Sequence, residues 1–524
     1  AFTTSGTEPD ERVIITGLTD GVENRDGKFF DWSNVYFRSA INQTNDLSVS
    51  GGNDKTTFFS SFSYSKNQGR VYVNDYDRFS GRLNLTQKIG KLIEFATNVS
   101  AARTKLSGFN DTDNAGQNYF EATHSRYFGV YWPTDYKTGL PWLPVYGNSG
   151  AQNNLFYDKE WENNSKVYST RAQERLKVNI LPELSLQTIF SYDNSETKEH
   201  LYYSRIHFRG DGIGKVHEMA TNERRIVSST TLNYGRSFGE NRLDFLAGYE
   251  AEKHETDFQR ATGTDLPASN LHTVATAGKK DASGYSWGNS IVSYISRLEY
   301  NFSKKYYLSA SFRRDGSSKL GPDSRWGNFW SVGGAWSIDK ENFMKKYDFI
   351  SNMRLRASYG VNGTLPPSNY GWRSLVGYSA NYMSQAGGTL TNIADPNLSW
   401  ETNYSTDIAL EFSLFKNRIY GTIEYFNRNS KDLLQSVPIS RVTGFSTSLK
   451  NIGSINNRGV EILLGGNIIQ RPGFTWSASV NGSAIKSKVT KLSDGADIIW
   501  YDNVDERGQY IYREGQSTLA FYGY

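Results

Sequence analysis

Six histidines are the residues best suited to proton transfer or metal binding: His124, His200, His207, His217, His254 and His272. Their spacing supports neither role. No His-x-x-x-His or Glu-x-x-His pair would place two ligands on one helix face, and no Gly-x-Ser-x-Gly elbow presents a nucleophile. With no cysteine in the chain, thiolate chemistry and disulfides are excluded. Gly210-Asp-Gly-Ile-Gly-Lys215 has the look of a phosphate loop without the preceding strand and following helix such a loop needs, and reads as a hairpin tip. Asp111, Asp113, Asn114 and Gly116 hint at calcium, but the EF-hand spacing fails after its second ligand and its twelfth position is Ala122. Asp494, Asp497, Asp502, Asp505 and Glu506 read as a solvated acidic loop. No cofactor, metal or enzymatic activity is expected.

The chemistry left is recognition. Between residues 105 and 166, Tyr127, Tyr131, Trp132, Trp142 and Tyr146 stand among further aromatics (Tyr119, Phe120, Phe128, Tyr136) stiffened by Pro133, Pro141 and Pro144. Flat aromatic faces beside hydroxyls and amides suit stacking on sugar rings or capture of peptide side chains, which makes those five the candidate substrate-binding residues. The plainer reading, in which they pack the loop on itself and on a partner, is favoured by the same composition.

Such a loop needs a frame, and the frame is legible. Phe79, Gly81, Leu83 and Leu85 alternate with Ser80, Arg82, Asn84, Thr86 and Lys88; after a turn at 89–91, Ile93, Phe95, Val99 and Ala101 alternate with Glu94, Asn98 and Ser100. A period of two sorts residues onto opposite faces of a sheet. The unit recurs at Leu176, Val178 and Ile180 against Arg175, Lys177 and Asn179, at 292–302, at 419–425 and at 474–480. About sixteen such strands, mostly of about 9–14 residues, are expected, long enough to cross a hydrocarbon core at a barrel's tilt. Short turns at 51–55, 89–91, 181–183, 238–241, 302–305, 415–417 and 470–473 alternate with long irregular stretches at 105–166, 198–223, 258–289, 362–401 and 427–457. Loop length in step with strand parity predicts an all-β fold, a large antiparallel transmembrane β-barrel with short periplasmic turns and long extracellular loops. A soluble sandwich or propeller has no reason to keep that phase.

Composition agrees. Mean hydropathy is −0.60 and hydrophobic residues make up 37%, low for a helical membrane protein but natural where every second strand residue meets lipid. Aromatics reach 14%, as two interfacial girdles require. A net charge of +4 without a basic block gives no reason to expect nucleic acid as a partner.

A set of ordered motifs resembles the SusC/RagA family of TonB-linked outer-membrane transporters of Bacteroidota. It starts with Asp31-Trp32, Phe37-Arg38, Leu47-Ser-Val-Ser-Gly-Gly-Asn53, Thr56 and Tyr64. It continues through Phe312-Arg-Arg-Asp-Gly-Ser-Ser318 with Arg325, Gly327 and Asn328, Leu355-Arg-Ala-Ser-Tyr-Gly360 with Gly363, and Asp395-Pro-Asn-Leu-Ser-Trp-Glu401. It ends with Lys431-Asp-Leu-Leu434, Thr443-Gly-Phe445, Asn451-Ile-Gly-Ser454 with Asn457, Gly459, Val460 and Glu461, then Arg513-Glu-Gly-Gln516 and Phe521-Tyr-Gly-Tyr524. Most of these positions read as fold-specifying: Gly51-Gly52-Asn53-Asp54 and Asp315-Gly316 as φ > 0 turn positions, Gly453 and Gly459 as kinks in the wall.

The resemblance implies a barrel of twenty-two strands, an N-terminal plug and a TonB box. Residues 1–45 are then expected to be the first extracellular loop region and 46–524 a partial barrel, with the sixteen strands as the second to the seventeenth and the plug outside this chain. It implies TonB-dependent import of a bulky nutrient, a glycan or a peptide, across the bacterial outer membrane. The implied partners are a SusD-like surface lipoprotein as lid, TonB, outer-membrane lipid and possible pairing of two transporter–lid units. Two other classes stay open: a passive porin or adhesin-like barrel, and an outer-membrane enzyme, which would need a Ser/His or Asp/His pair at one rim.

Overall fold

The computed structural model describes residues 2–5, 12–15, 37–70, 74–108, 160–378, 382–383, 385, 387–492, 497–501, 509–518 and 520–522. One antiparallel sheet of 16 strands dominates them. In chain order its strands are β1 Asn42–Gly52, β2 Thr56–Gln68, β3 Asp75–Ile89, β4 Ile93–Ser107, β5 Trp161–Leu181, β6 Leu184–Tyr203, β7 Lys215–Phe238 and β8 Asn241–Thr264. The remainder are β9 Lys279–Phe302, β10 Tyr306–Ser317, β11 Trp326–Ser337, β12 Ile350–Thr364, β13 Glu401–Leu414, β14 Ile419–Pro438, β15 Thr447–Arg471 and β16 Phe474–Lys491. Each strand pairs with its neighbours in sequence, and β1 and β16 end the order. Three small ribbons lie outside this sheet: Phe2–Ser5 with Arg12–Ile15, Val376–Gly377 with Thr389–Leu390, and Ile498–Tyr501, Gln509–Tyr512 and Ala520–Tyr522 together. No helix among the described residues is long and apolar enough to cross a membrane, which leaves strands as the only described elements able to do so.

The ladder register confirms the two faces. Leu83 lies opposite Val99, Phe95 opposite Leu176, and Ile93 opposite Val178, while Arg82 lies opposite Ser100, Asn84 opposite Asn98, and Glu94 opposite Lys177. The apolar set continues through Leu298, Leu308, Val332, Leu355, Ile408, Ile423 and Ile462, all exposed although aliphatic. A continuous exposed aliphatic face on one side of a charged face is what lipid outside and water inside require. Glu174 interrupts the apolar face, and its carboxylate accepts a hydrogen bond of 2.6 Å from the Thr97 hydroxyl.

Aromatic residues bound this face at both ends. At the short-turn end Phe302 stacks on Tyr306 (6.3 Å), Trp336 meets Phe343 (6.5 Å) and Phe349 meets Phe415 (5.8 Å). At the other end the rings carry cations: Lys198 over Tyr168 (5.9 Å), Arg314 over Trp326 (5.3 Å) and Lys431 over Tyr404 (4.9 Å). Such rings suit the two membrane–water interfaces, where one end of the side chain is apolar and the other wet.

Turn chemistry holds the short end. Asn53 Oδ1 accepts from the backbone N–H of Lys55 and of Thr56, both at 2.9 Å. Phe415, Lys416 and Asn417 all take left-handed φ (54°, 57° and 66°), a costly run held in part by the Ser413 hydroxyl bonded to Asn417 at 2.6 Å. One turn, at 338–349, is longer than expected. There Glu341 accepts from Tyr306 (2.6 Å), Trp336 (3.1 Å) and Lys305 (3.3 Å), and these donors hold its carboxyl below the usual carboxylate range.

Several expectations need correction. The wall reaches far into stretches read as loops: residues 198–203, 215–223, 258–264, 279–289, 427–438 and 447–457 are strand, and strands run to 25 residues instead of about 9–14. Beyond the lipid both faces of a strand meet water, so the alternation that marks the lower wall disappears. Asp315-Gly316 is not a turn but part of β10, where Gly316 leaves room for the Trp326 ring, 2.8 Å from where a Cβ would stand. Gly453 does sit at a register irregularity in β15, as a kink requires.

Candidate functional site in the inner wall and the long-loop rim

The inner face, built from alternate residues of each strand, is lined with arginine–carboxylate pairs. Arg356 reaches Glu411 at 3.0 Å and Glu424 at 2.5 Å on the next two strands. Arg313 binds Asp315 (2.6 Å), Glu250 (3.1 Å) and the Ser293 hydroxyl (2.7 Å). Arg225 makes two bonds to Glu252, at 2.9 and 2.7 Å, Arg175 binds Glu94 at 2.7 Å, and Arg171 pairs with Asp193. Fork-shaped guanidinium groups in this arrangement fix each other's geometry and present a charged, wettable surface. Several recesses open on it among the described residues: one of about 450 Å³ lies near Arg242, Tyr307, Arg354 and Arg356, and another, of about 650 Å³, near Arg78, Arg82, Arg171 and His254.

At the long-loop end the wall carries two packed clusters. Tyr202, Val216, Leu266 and Ala277 bind the 265–278 connection to β6 and β7. The Tyr202 ring stacks on His272 at 3.9 Å, and burial pushes its phenol, which donates to the Ser269 carbonyl, up to about 12. Glu162 accepts from His272 at 3.0 Å, and His200 bridges Glu162 (3.5 Å) and Glu218 (2.7 Å). The second cluster is Leu320, Phe329, Leu398 and Trp400. Here the sequence motifs meet. The Trp400 indole donates to the Arg325 carbonyl (3.1 Å), Asn451 grips the backbone of Ser399 (2.8 and 2.9 Å) and Asp432 (2.9 Å), and Glu401 accepts from the Leu434 N–H (2.7 Å). A Cβ on Gly363 or Gly327 would stand 2.3 or 2.4 Å from the Phe329 ring, so both glycines are demanded by close approach. In the described residues these motifs hold the rim cluster together.

His207 is buried at this rim beside Arg209. Burial first, and then the neighbouring guanidinium, lower its pKa to about 3. Because the folded value lies below the unfolded value of about 6.5, the unfolded chain binds more protons between them. The stability contributed by neutral His207 is therefore complete above about pH 6.5 and is lost as pH falls toward 3. Histidine-selective NMR at pH 5 is expected to find His207 neutral; a protonated ring there contradicts this placement.

The five candidate residues Tyr127, Tyr131, Trp132, Trp142 and Tyr146 lie outside the described residues, as do His124 and the Asp111–Gly116 segment. Gly210–Lys215 is a hairpin tip, with Asp211 left-handed and paired to Lys215. Three of the histidines lie on strands: His200, His217 and His254 belong to β6, β7 and β8. The inner-wall arginines were missed as a set. Their signal was there, since each occupies a position opposite in phase to the aliphatic residues of its strand.

A family described as TonB dependent receptor-like, beta-barrel, matches residues 103–516. TonB-dependent receptor P3 of Formosa agariphila is 28% identical over 522 residues, covering 94% of this chain and 50% of that protein. TonB-dependent receptor SusC of Bacteroides thetaiotaomicron is 26% identical over 526 residues, covering 94% and 52%. Among solved structures, the RagAB peptide transporter superposes with a TM-score of 0.82 at 23% identity, covering 94% of this chain and 55% of that one. The siderophore receptor PiuA of Acinetobacter baumannii superposes with a TM-score of 0.54 at 12% identity, covering 91% and 66%. The chain spans about half the length of the relatives it matches. A two-faced wall of 16 strands, girdled at both ends and matched by the family over most of its length, identifies it: this chain belongs to the TonB dependent receptor-like β-barrel family of the bacterial outer membrane.

Proposed function

We propose that the protein imports a bulky nutrient, an oligosaccharide or oligopeptide, across the outer membrane, using energy delivered by TonB and a SusD-like surface lipoprotein as lid over the long-loop end. The observation that carries this reading is the charged inner wall. Sixteen strands curve a sheet too wide for its own side chains to fill, and its arginine–carboxylate pairs need water or a polar cargo against them. The strands that rise above the lipid-facing band give a lid a raised rim to seat on. TonB-dependent action is the shared description of the relatives, and a peptide cargo is stated for RagAB. The long-loop end then faces outward and the short turns face the periplasm.

Energy dependence separates this reading from a passive pore. Cells carrying the full protein should take up its nutrient only with an intact proton-motive force and TonB. Uptake that survives an uncoupler assigns a porin instead.

A further inference from the structure

We propose that the turn at 338–349, with the two shorter turns beside it, is a binding site for the phosphate headgroups of anionic phospholipid. It rests on the importer reading only for which leaflet is bound, the periplasmic one. Four observations carry it.

The turn is long and firmly anchored. It has 12 residues where its neighbours at 303–305 and 415–418 have three and four, and it folds into two 3-10 turns, Ile338–Lys340 and Asn342–Met344. Glu341 fastens it to Tyr306, Trp336 and Lys305, and the Lys340 ammonium donates to the Lys304 carbonyl at 2.8 Å.

Its rings lie on the lipid side. Trp336 shares a strand face with the exposed Val332, and its register partner Tyr306 shares one with the exposed Leu308. Phe343 of the turn meets Trp336 and is 55% exposed. A second row crosses to the next turn: Tyr347 meets Phe349 at 6.2 Å, and Phe349 meets Phe415, all three exposed. Exposed rings continuous with a lipid-facing wall sit at the level of the headgroups.

Cations gather in this sector. Residues 303–305, 338–349 and 415–418 hold seven lysines and arginines against three acids, whereas each of the other short turns holds at most one cation. Two of the three acids are already engaged, Glu341 as above and Asp339 by the Met353 N–H at 3.3 Å; Glu240, on the neighbouring turn, is bonded to the Ser303 hydroxyl. Lys304, Lys345 and Lys416 make no ion pair among the described residues, and Lys346 lies over the Tyr347 ring at 4.9 Å. Ammonium groups on flexible stems, held at headgroup depth, attract and bind the phosphates of an anionic leaflet.

The protein side of this surface is whole. Strands β9 to β14 are ladder-paired without a gap, and the rings lie on the face turned away from the lumen.

The test uses purified full-length protein, with any native cysteine replaced, in symmetric phosphatidylcholine vesicles. A fluorophore is placed on Asn342→Cys or, as control, on Leu92→Cys, beside a turn with a single lysine. A minor fraction of the lipid is a brominated quencher, either phosphatidylglycerol or phosphatidylcholine. The probe at 342 should prefer phosphatidylglycerol by about threefold or more, falling toward parity as salt rises from about 50 to about 500 mM, while the probe at 92 stays near parity. Lys304→Gln/Lys345→Gln/Lys346→Gln should bring the probe at 342 to parity. The same variant should keep the heat-modifiable migration of a folded barrel and unchanged quenching by phosphatidylcholine, because the rings still hold the turn in place. The proposal is overturned if the two lipids quench the probe at 342 equally in the parent, if the probe at 92 shows the same preference, or if the preference survives in the triple variant. It is also overturned if the triple variant loses quenching by both lipids, since the lysines would then hold the turn and not a lipid. The vesicles are symmetric and carry no energy source, so failed uptake leaves this site standing and a missing lipid preference leaves the importer reading untouched.

Discussion

Leu176→Arg should destabilise the folded barrel in a bilayer by roughly 2–4 kcal/mol, the cost of a cation on the lipid face of a barrel wall. Leu176 is 43% exposed and lies opposite Phe95 and Thr188, within the apolar face. No carboxylate stands directly across from it to take up the charge. Its neighbour Lys177 points the other way, opposite Glu94 and Gln187, and Lys177→Ala should stay within about 0.5 kcal/mol. Equilibrium unfolding in lipid vesicles, followed by heat-modifiable migration, reads both. Equal effects at 176 and 177 would mean that neither face meets lipid.

Removal of residues 109–159 should abolish uptake, or docking of the lid, while leaving a folded barrel. The cut falls between β4 and β5, whose pairing from Ser107 to Ile93 is made without that segment. Insertions at Gly90 or near Asn417 should be far milder, since these turns lie at the opposite end and the Gly90 position is open around its Cα. Within the segment, Trp132→Ala and Trp142→Ala separate its two readings. Stacking on substrate predicts weaker binding in an intact complex, by about 1 kcal/mol or more per ring. Packing predicts loss of the lid or of folding, with affinity unchanged in what survives. Undisturbed growth on every glycan and peptide tested after the deletion would remove this segment from the account.

The lower wall was legible because lipid imposes a rule that water does not. Leu83 and Val99 must face one way and Arg82 and Ser100 the other, so a period of two survives in the sequence and fixes the pairing. The upper wall escapes the rule. Residues 198–203 and 215–223 meet water on both faces, carry no alternation, and read as loop although they are ladder-paired to their ends. The site escaped for a different reason. Arg356 and its partners Glu411 and Glu424 are separated by 55 and 68 residues, and only the register of three strands brings them together. Turn reading was mixed for physical causes as well: Asn53 caps its turn as its side chain allows, whereas Gly316 answers to the Trp326 ring and not to φ. Motif residues such as Gly363, Trp400 and Asn451, far apart in the chain, turn out to hold one rim cluster together.

Successive wall residues face lipid and lumen in turn. These 524 residues hold no cysteine, so a cysteine placed at 176 or at 177, in a protein with any cysteine outside them replaced, is a unique site for a fluorophore. In vesicles containing a lipid-borne quencher, the probe at 176 should be strongly quenched and the probe at 177 weakly, with the same contrast between 83 and 82. Equal quenching at 176 and 177 would contradict the transmembrane barrel.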